Sequence, residues 1–308
     1  MSPARFARLV THGPTCSDGL ASAMVVLDAL PELEVVFAEH GAPSLEQLPP
    51  TPGLLFCDIS PPRARVAEFV DAGAVVLDHH KHARDIVEAF GPRGHFADEL
   101  AEPGVSGALL AYRHVWVPAR GAVHRWGSEV ETFARWVGIR DTWQTRSPEW
   151  ETANDLHAAL SGLPRAYWLR QGGIARALSA DSLELGRMWR EQRARQVAEL
   201  CANGTVRLQD DAGRKWAVFP DGRKLVSDAA ERLRQEGEDV TCGWFQVARD
   251  GEIWTVLSLR ASGALDVGAL AKRLGGGGHS RAAGCQLRES DPLEAARMVM
   301  AWACEVAP

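Results

Sequence analysis

Three short apolar runs in the first part of the chain each stop at an acid or an imidazole, and this constrains the fold more than any other feature. Ala74-Val-Val-Leu77 runs into Asp78-His79-His80. Leu54-Leu-Phe-Cys57 runs into Asp58, with Ser60-Pro61-Pro62 behind it. Arg8-Leu-Val-Thr runs into His12 and a polar loop containing Cys16 and Asp18-Gly19. Short apolar runs bounded by turn residues read as buried strands. Helical patterns lie between them, the first being the Ala-rich stretch Leu20–Leu27 with Asp18 near its start. Strands alternating with helices up to about Phe90 predict a parallel sheet with crossover helices. In such sheets ligands bind outside the carboxyl ends of the strands, so these acids and imidazoles are predicted to meet there. A fourth acid, Asp141, follows the apolar stretch Trp136-Val-Gly-Ile-Arg140. Any one of these aspartates is at home as a helix N-cap or a turn residue. Four of them in one half of the chain, with histidines beside them, are not accounted for that way. Imidazole and carboxylate together suit divalent transition metals.

The pattern changes further along. From about Ser106 to Ser161 it is mainly helical. Asp181 to Ala202 predicts one long polar helix carrying Arg187, Arg190, Arg193 and Arg195, with Asn203-Gly204 as its stop. That charge run is expected to be a solvated helix face rather than a nucleic-acid patch. The expected division is therefore a first domain over 1–180, a connecting helix over 181–204 and a smaller α/β domain over 205–308. In the last, Thr205–Leu208 and Lys215–Phe219 are strand candidates and Val226 to Glu236 a helix. Val240–Ala248 and Ile253–Arg260 predict a hairpin around Asp250-Gly251, a favoured turn pair. A helix from Val267 leads into a glycine loop, Gly275 to Gly278, followed by His279, and Leu293 to Glu305 is a terminal helix. A backbone without side chains can approach a ligand closely and present N–H groups to an anion. His279 adds a donor, and Arg260 can fork onto phosphate oxygens.

Composition narrows the function. The net charge of −6 disfavours nonspecific binding to long nucleic acid but leaves small anionic substrates open. No apolar run of about twenty residues occurs, so no membrane span is expected. The start lacks a signal-peptide core. The six cysteines are scattered without a Cys-x-x-Cys pair, which fits reduced thiols in a cytoplasm. The eleven tryptophans are many for this length. Trp126, Trp136, Trp143, Trp150 and Trp168 fall in the helical middle, where any could stack on a nucleobase. Core packing is the commoner fate of Trp, and Trp143, two residues past Asp141, is the best-placed exception.

This set of motifs resembles the DHH phosphoesterase superfamily, and the likeness covers nearly the whole chain. His12, Cys16 and Asp18-Gly19 match the spacing of the family's first motif. Asp58 matches the second, Asp78-His79-His80 the third that names the family, and Asp141 the fourth. Ser258-Leu-Arg260 and the Gly-rich His motif ending in Gly276-Gly277-Gly278-His279 match the DHH-associated C-terminal domain. The resemblance implies a metal-binding catalytic domain followed by a substrate-binding one, as in the stand-alone nanoRNA and 3′-phosphoadenosine-5′-phosphate hydrolases. It implies two divalent ions, most often manganese. His12, Cys16 and Asp58 would hold one, and Asp18, Asp58, His79 and Asp141 the other, with Asp58 bridging. His80 would contact the phosphate, and Asp78 would orient a histidine. Ser258, Arg260, Gly276, Gly277, Gly278 and His279 would hold the substrate. The family has aspartate where this chain has Cys16. A thiolate there would favour a softer metal such as zinc or iron; the alternative is that Cys16 binds nothing and packs as a small apolar residue. The implied activity is hydrolysis of short oligonucleotides, dinucleotides or related nucleotides by a cytoplasmic enzyme without membrane contact. The partner is then a short single-stranded nucleic acid or a nucleotide, and a homodimer stays open. Two other functions stay open as well: hydrolysis of polyphosphate or another non-nucleotide phosphoester, and non-catalytic nucleotide binding.

Overall fold

The structure is a computed structural model that describes residues 6–13, 15–98, 101–120, 127–220 and 225–306. The candidate stacking residue Trp126 lies outside them. The chain divides into two compact units, Met1–Arg190 and Glu191–Pro308. The boundary falls within the helix Ala180–Asn203.

The first unit is built on five strands: β1 (Arg8–His12), β2 (Glu34–Ala38), β3 (Leu54–Cys57), β4 (Val75–Asp78) and β5 (Gly94–Phe96). All pair in parallel in the order β2-β1-β3-β4-β5. A parallel sheet has both faces covered, so its strands are apolar at every position while alternate residues serve opposite layers. That explains the short unbroken apolar runs. Leu9, Leu55, Cys57, Val75 and Leu77 enter a core shared with the helix Ser17–Ala29 and the helical segment that begins at Gly107. Their neighbours Val10, Leu54, Phe56 and Val76 enter a separate core on the other face. The sheet runs one strand beyond the expected limit near Phe90, because the short β5 lacks an apolar run of its own.

The strand order has a consequence for the site. From β1 the chain goes to one side to make β2, then crosses to the other to make β3. The crevice between the carboxyl ends of β1 and β3 is thus a topological switch point, where open α/β sheets bind ligands. His12 ends β1, and Asp58 directly follows β3.

The second unit holds a mixed six-stranded sheet, β10-β11-β9-β8-β7-β6. Its strands are β6 (Val206–Gln209), β7 (Lys215–Pro220), β8 (Val240–Arg249), β9 (Glu252–Ala261), β10 (Gly277–His279) and β11 (Ala282–Leu287). Only β7 and β8 pair in parallel. The expected hairpin closes at Asp250-Gly251 with φ of 52° and 79°, the two positive values of a type I′ turn. Trp216, Val218, Cys242 and Leu259 pack under the helices Val267–Arg273 and Pro292–Val306. Ala217 and Phe219 face the helix Val226–Gln235 on the other side. The glycine run is not loop throughout, as expected from sequence: its second half forms the edge strand β10. The four arginines of the long helix each meet an acid: Arg187 with Glu184, Arg190 with Asp155, Arg193 with Asp228 and Arg195 with Glu191. Among the described residues no helix is long and apolar enough to cross a membrane.

Candidate metal centre

At the carboxyl edge of the parallel sheet, local structure aims several polar groups at one spot. Asp58 leaves β3 after its N–H donates to the Leu77 carbonyl, 3.0 Å away, and then adopts φ of 61°. A left-handed non-glycine residue costs about 1–3 kcal/mol and persists where surrounding structure demands it. The next strand end supplies His79, whose Nε2 lies 3.2 Å from Asp58 Oδ1, 3.5 Å from Asp18 Oδ2 and 3.5 Å from Asp141 Oδ2. Asp141 reaches this point from the last residue of a helix, Gly127–Asp141, and not from a strand-like run. His12 Nδ1 is 3.9 Å from Asp58 Oδ2. The structure thus brings His12, Asp18, Asp58, His79 and Asp141 together.

Cys16 joins them in a double role. Its sulfur caps the helix Ser17–Ala29 by accepting the Gly19 N–H, and its thiol donates to Asp58 Oδ2 at 3.3 Å. Burial, with Asp58 and Asp18 nearby, raises the thiol well above its ordinary range. Asp18, fully buried, accepts from the Gly107 and Ala108 N–H groups at 2.6 and 2.9 Å. It therefore ties the first helix to the start of the segment beginning at Gly107, where backbone N–H groups are otherwise unpaired.

Asp78 and His80 are arranged differently from the rest. Asp78 accepts from Ser60 Oγ at 2.6 Å and from the His80 N–H at 2.9 Å, and its Oδ1 lies 2.8 Å from His80 Nδ1. Burial opposes its charge, but these bonds outweigh burial and hold Asp78 below the usual carboxylate range. Burial likewise opposes the charge on His80, and Asp78 outweighs it, raising the imidazole to about 9.

Three ligand groups of suitable type lie within metal-binding reach: His12, Cys16 and Asp58; Asp58, His79 and His80; and Asp18, His79 and Asp141. Burial and mutual repulsion fit them to a cation. Asp58 is raised to about 7, chiefly by burial and further by Asp141, and Asp18 is raised by burial, Asp58 and Asp141. Two buried carboxylates held against a third are costly alone and favourable around a divalent ion.

In the second unit, Arg260 of β9 and His279 of β10 both pair with Ala282 of β11, in one row of the sheet. Ser258 pairs with Gly284, which pairs with Gly277, two residues along. Side chains in one row, and in every second row, leave the same face. Arg260, His279 and Ser258 therefore share a face that glycines keep low.

Several residues of the site carry no strong sequence signal. Ser60 and Gly107 are two. A Cβ on Gly107 would stand 2.5 Å from Asp58 Cβ, and only the folded chain shows this. His40 lies just past the end of β2, at the same sheet edge, so the strand-end pattern could have found it. The rings of His12, His40, His82 and His80 follow one another at centroid separations of 6.4, 6.1, 5.5 and back to His12 at 6.3 Å. Of the tryptophans, Trp168 is buried, Trp136 Nε1 donates to Glu149, and Trp143 is 60% exposed.

Residues 222–303 match the DHHA1 domain family. The whole chain is similar in structure to the pGpG-specific phosphodiesterase PggH from Vibrio cholerae, with a TM-score of 0.63 at 14% identity over 98% of this chain and 100% of that one. An exopolyphosphatase-related protein from Bacteroides fragilis matches with a TM-score of 0.51 at 14% identity, over 98% of this chain and 92% of that one. RecJ from Thermus thermophilus, solved with Mn2+, gives 0.51 at 16% identity, over 98% of this chain and 52% of its own. No curated protein matches in sequence. The chain has the fold of the DHH superfamily and carries a C-terminal DHHA1 domain.

Proposed function

We propose that this chain is a metal-dependent phosphodiesterase acting on short oligonucleotides, dinucleotides or related nucleotides. The observation that carries this reading is the convergence of His12, Asp18, Asp58, His79 and Asp141 at the switch point of the sheet, with Asp58 held left-handed among them. These residues, with Cys16, would hold one or two divalent cations, and the mainly hard donor set favours manganese. Bound there, such ions acidify a water and neutralise phosphate charge. The rest is the work of the chain. Asp78, fixed by Ser60, engages Nδ1 of His80, which leaves Nε2 to donate to a phosphate or leaving-group oxygen. Arg260, Ser258, His279 and the Gly276–Gly278 backbone supply further donors for the anionic substrate. Residues 1–180 then form the catalytic domain, 181–204 a connecting helix and 205–308 the substrate-binding domain.

The similarity to pGpG-specific and RecJ structures supports a nucleotide substrate. The exopolyphosphatase-related structure keeps inorganic polyphosphate as the second reading. A substrate panel separates them: purified protein with manganese, magnesium or zinc, offered 5′-phosphorylated dinucleotides, short RNA, a bisphosphorylated nucleotide and polyphosphate. Mononucleotide release with manganese is expected. Turnover of polyphosphate alone would overturn the nucleotide assignment, and no turnover of any substrate would overturn the enzyme assignment.

A further inference from the structure

Trp143 sits where the backbone calls for glycine. The helix Gly127–Asp141 ends with the Gln144 N–H donating to the Ile139 carbonyl at 2.9 Å and the Trp143 N–H to the Arg140 carbonyl at 3.3 Å. These two bonds define a Schellman cap, whose left-handed position is usually glycine and sometimes asparagine. Trp143 occupies it with φ of 57°. A bulky aromatic with positive φ is a genuine outlier.

Burial does not compensate. Trp143 is 60% exposed, more than any other large hydrophobic residue described. Its indole is nonetheless fixed. The Arg140 guanidinium lies over the ring, 4.3 Å from its centroid, and the Trp150 ring meets it nearly edge-on at 5.4 Å. One face is thus covered by a cation, while most of the residue stays open to solvent. The chain places this platform two residues past Asp141, whose carboxylate lies 3.5 Å from His79. Strain, exposure and rigid support beside a candidate metal centre suit a group that waits for a flat partner.

Resting on the nucleotide reading of the site, we propose that Trp143 is a substrate-binding residue whose indole stacks on a nucleobase of the substrate. Every base has a π-face, so this contact selects nucleotides over polyphosphate without selecting one base. A residue kept there for packing alone would behave in the opposite way on substitution. Trp143→Gly supplies the residue that the cap prefers, so the fold should keep or raise its melting temperature while base binding falls.

Two measurements on the manganese-loaded full chain test this. In the first, tryptophan fluorescence is titrated with guanosine 5′-monophosphate and with ribose 5-phosphate as the base-free control. Wild type should be quenched by the nucleotide, and Trp143→Gly should lose that quench. In the second, turnover of a 5′-phosphorylated dinucleotide is compared with turnover of an abasic dimer of the same backbone. KM for the dinucleotide should rise about tenfold in Trp143→Gly, kcat should change little, and Trp143→Phe should recover most of the loss. The abasic dimer should not distinguish the variants. Equal quenching in wild type and Trp143→Gly would overturn stacking, as would equal KM values. A Trp143→Gly protein that melts lower and loses metal would make Trp143 a structural residue and overturn it too. A Trp143-dependent quench without turnover of either dimer would leave stacking standing and remove the phosphodiesterase reading instead.

Discussion

Asp58 is the residue on which the site turns. It is buried, left-handed and within reach of His12, Cys16 and His79. Gly107 guards that position from behind. Alanine favours a helix over glycine by up to about 1 kcal/mol, yet its Cβ at residue 107 would stand 2.5 Å from Asp58 Cβ and 2.8 Å from Ser22 Oγ. Gly107→Ala is therefore expected to lower turnover at least about tenfold and to reduce bound metal, as read by elemental analysis of the purified protein. Full activity in this variant would show that Asp58 tolerates displacement. Cys16 gives a second residue-scale expectation. A carboxylate suits manganese better than sulfur does, so Cys16→Asp should raise manganese stoichiometry and the manganese-dependent rate together. Equal values in wild type and Cys16→Asp would make the sulfur a cap for its helix and nothing more. His12, Asp58 and His79 were legible as types at strand ends, Asp18 as an acid at the start of a helix and Asp141 as an acid after an apolar stretch. The left-handed turn at Asp58 and the close approach of Gly107 were not, because both arise from segments far apart in sequence.

The elements show which signals survive folding. Unbroken apolar runs marked β3 and β4, and Asp250-Gly251 marked the β8–β9 turn, because both depend on local chemistry. The stretch before Asp141 is short and apolar, which fits a strand end as well as a helix; packing decided for helix. The glycines of β10 have no strand propensity, and they pair because β11 beside them supplies the register. The β6–β7 hairpin adds a device with a pH signature. Asp210 accepts from the Ala212 and Arg214 N–H groups, from Arg214 Nε and from Trp216 Nε1. Burial pushes its carboxyl up, but these bonds outweigh burial and hold it below the ordinary value. A depressed folded pKa contributes stability above the unfolded value of about 3.9, and that stability is lost as pH falls through the folded one. Asp210→Asn is expected to cost about 2 kcal/mol at neutral pH. Its melting temperature should also fall less steeply than that of wild type below about pH 4. Parallel melting curves for the two proteins across that window would contradict the account.

At the scale of the molecule, the two units are expected to contribute separable functions. Arg260→Ala and His279→Ala should raise KM for a dinucleotide at least about tenfold each, with metal content unchanged, since neither belongs to the ligand groups of the first unit. Loss of metal in either variant would contradict that separation. The two-unit organisation was readable from the change of pattern along the chain. The helix expected to connect them contains the boundary, and only its exact position was not readable, because a continuous helix carries no break in sequence. In the proposed mechanism, the acids and imidazoles at the sheet edge hold the metal on which phosphodiester hydrolysis depends. The most direct measurement compares wild type with Asp58→Ala, both confirmed folded by circular dichroism, for manganese content and for mononucleotide release from a 5′-phosphorylated dinucleotide. Wild type should bind manganese and release mononucleotide, and Asp58→Ala should do neither. Retained manganese-dependent hydrolysis by Asp58→Ala would contradict the account.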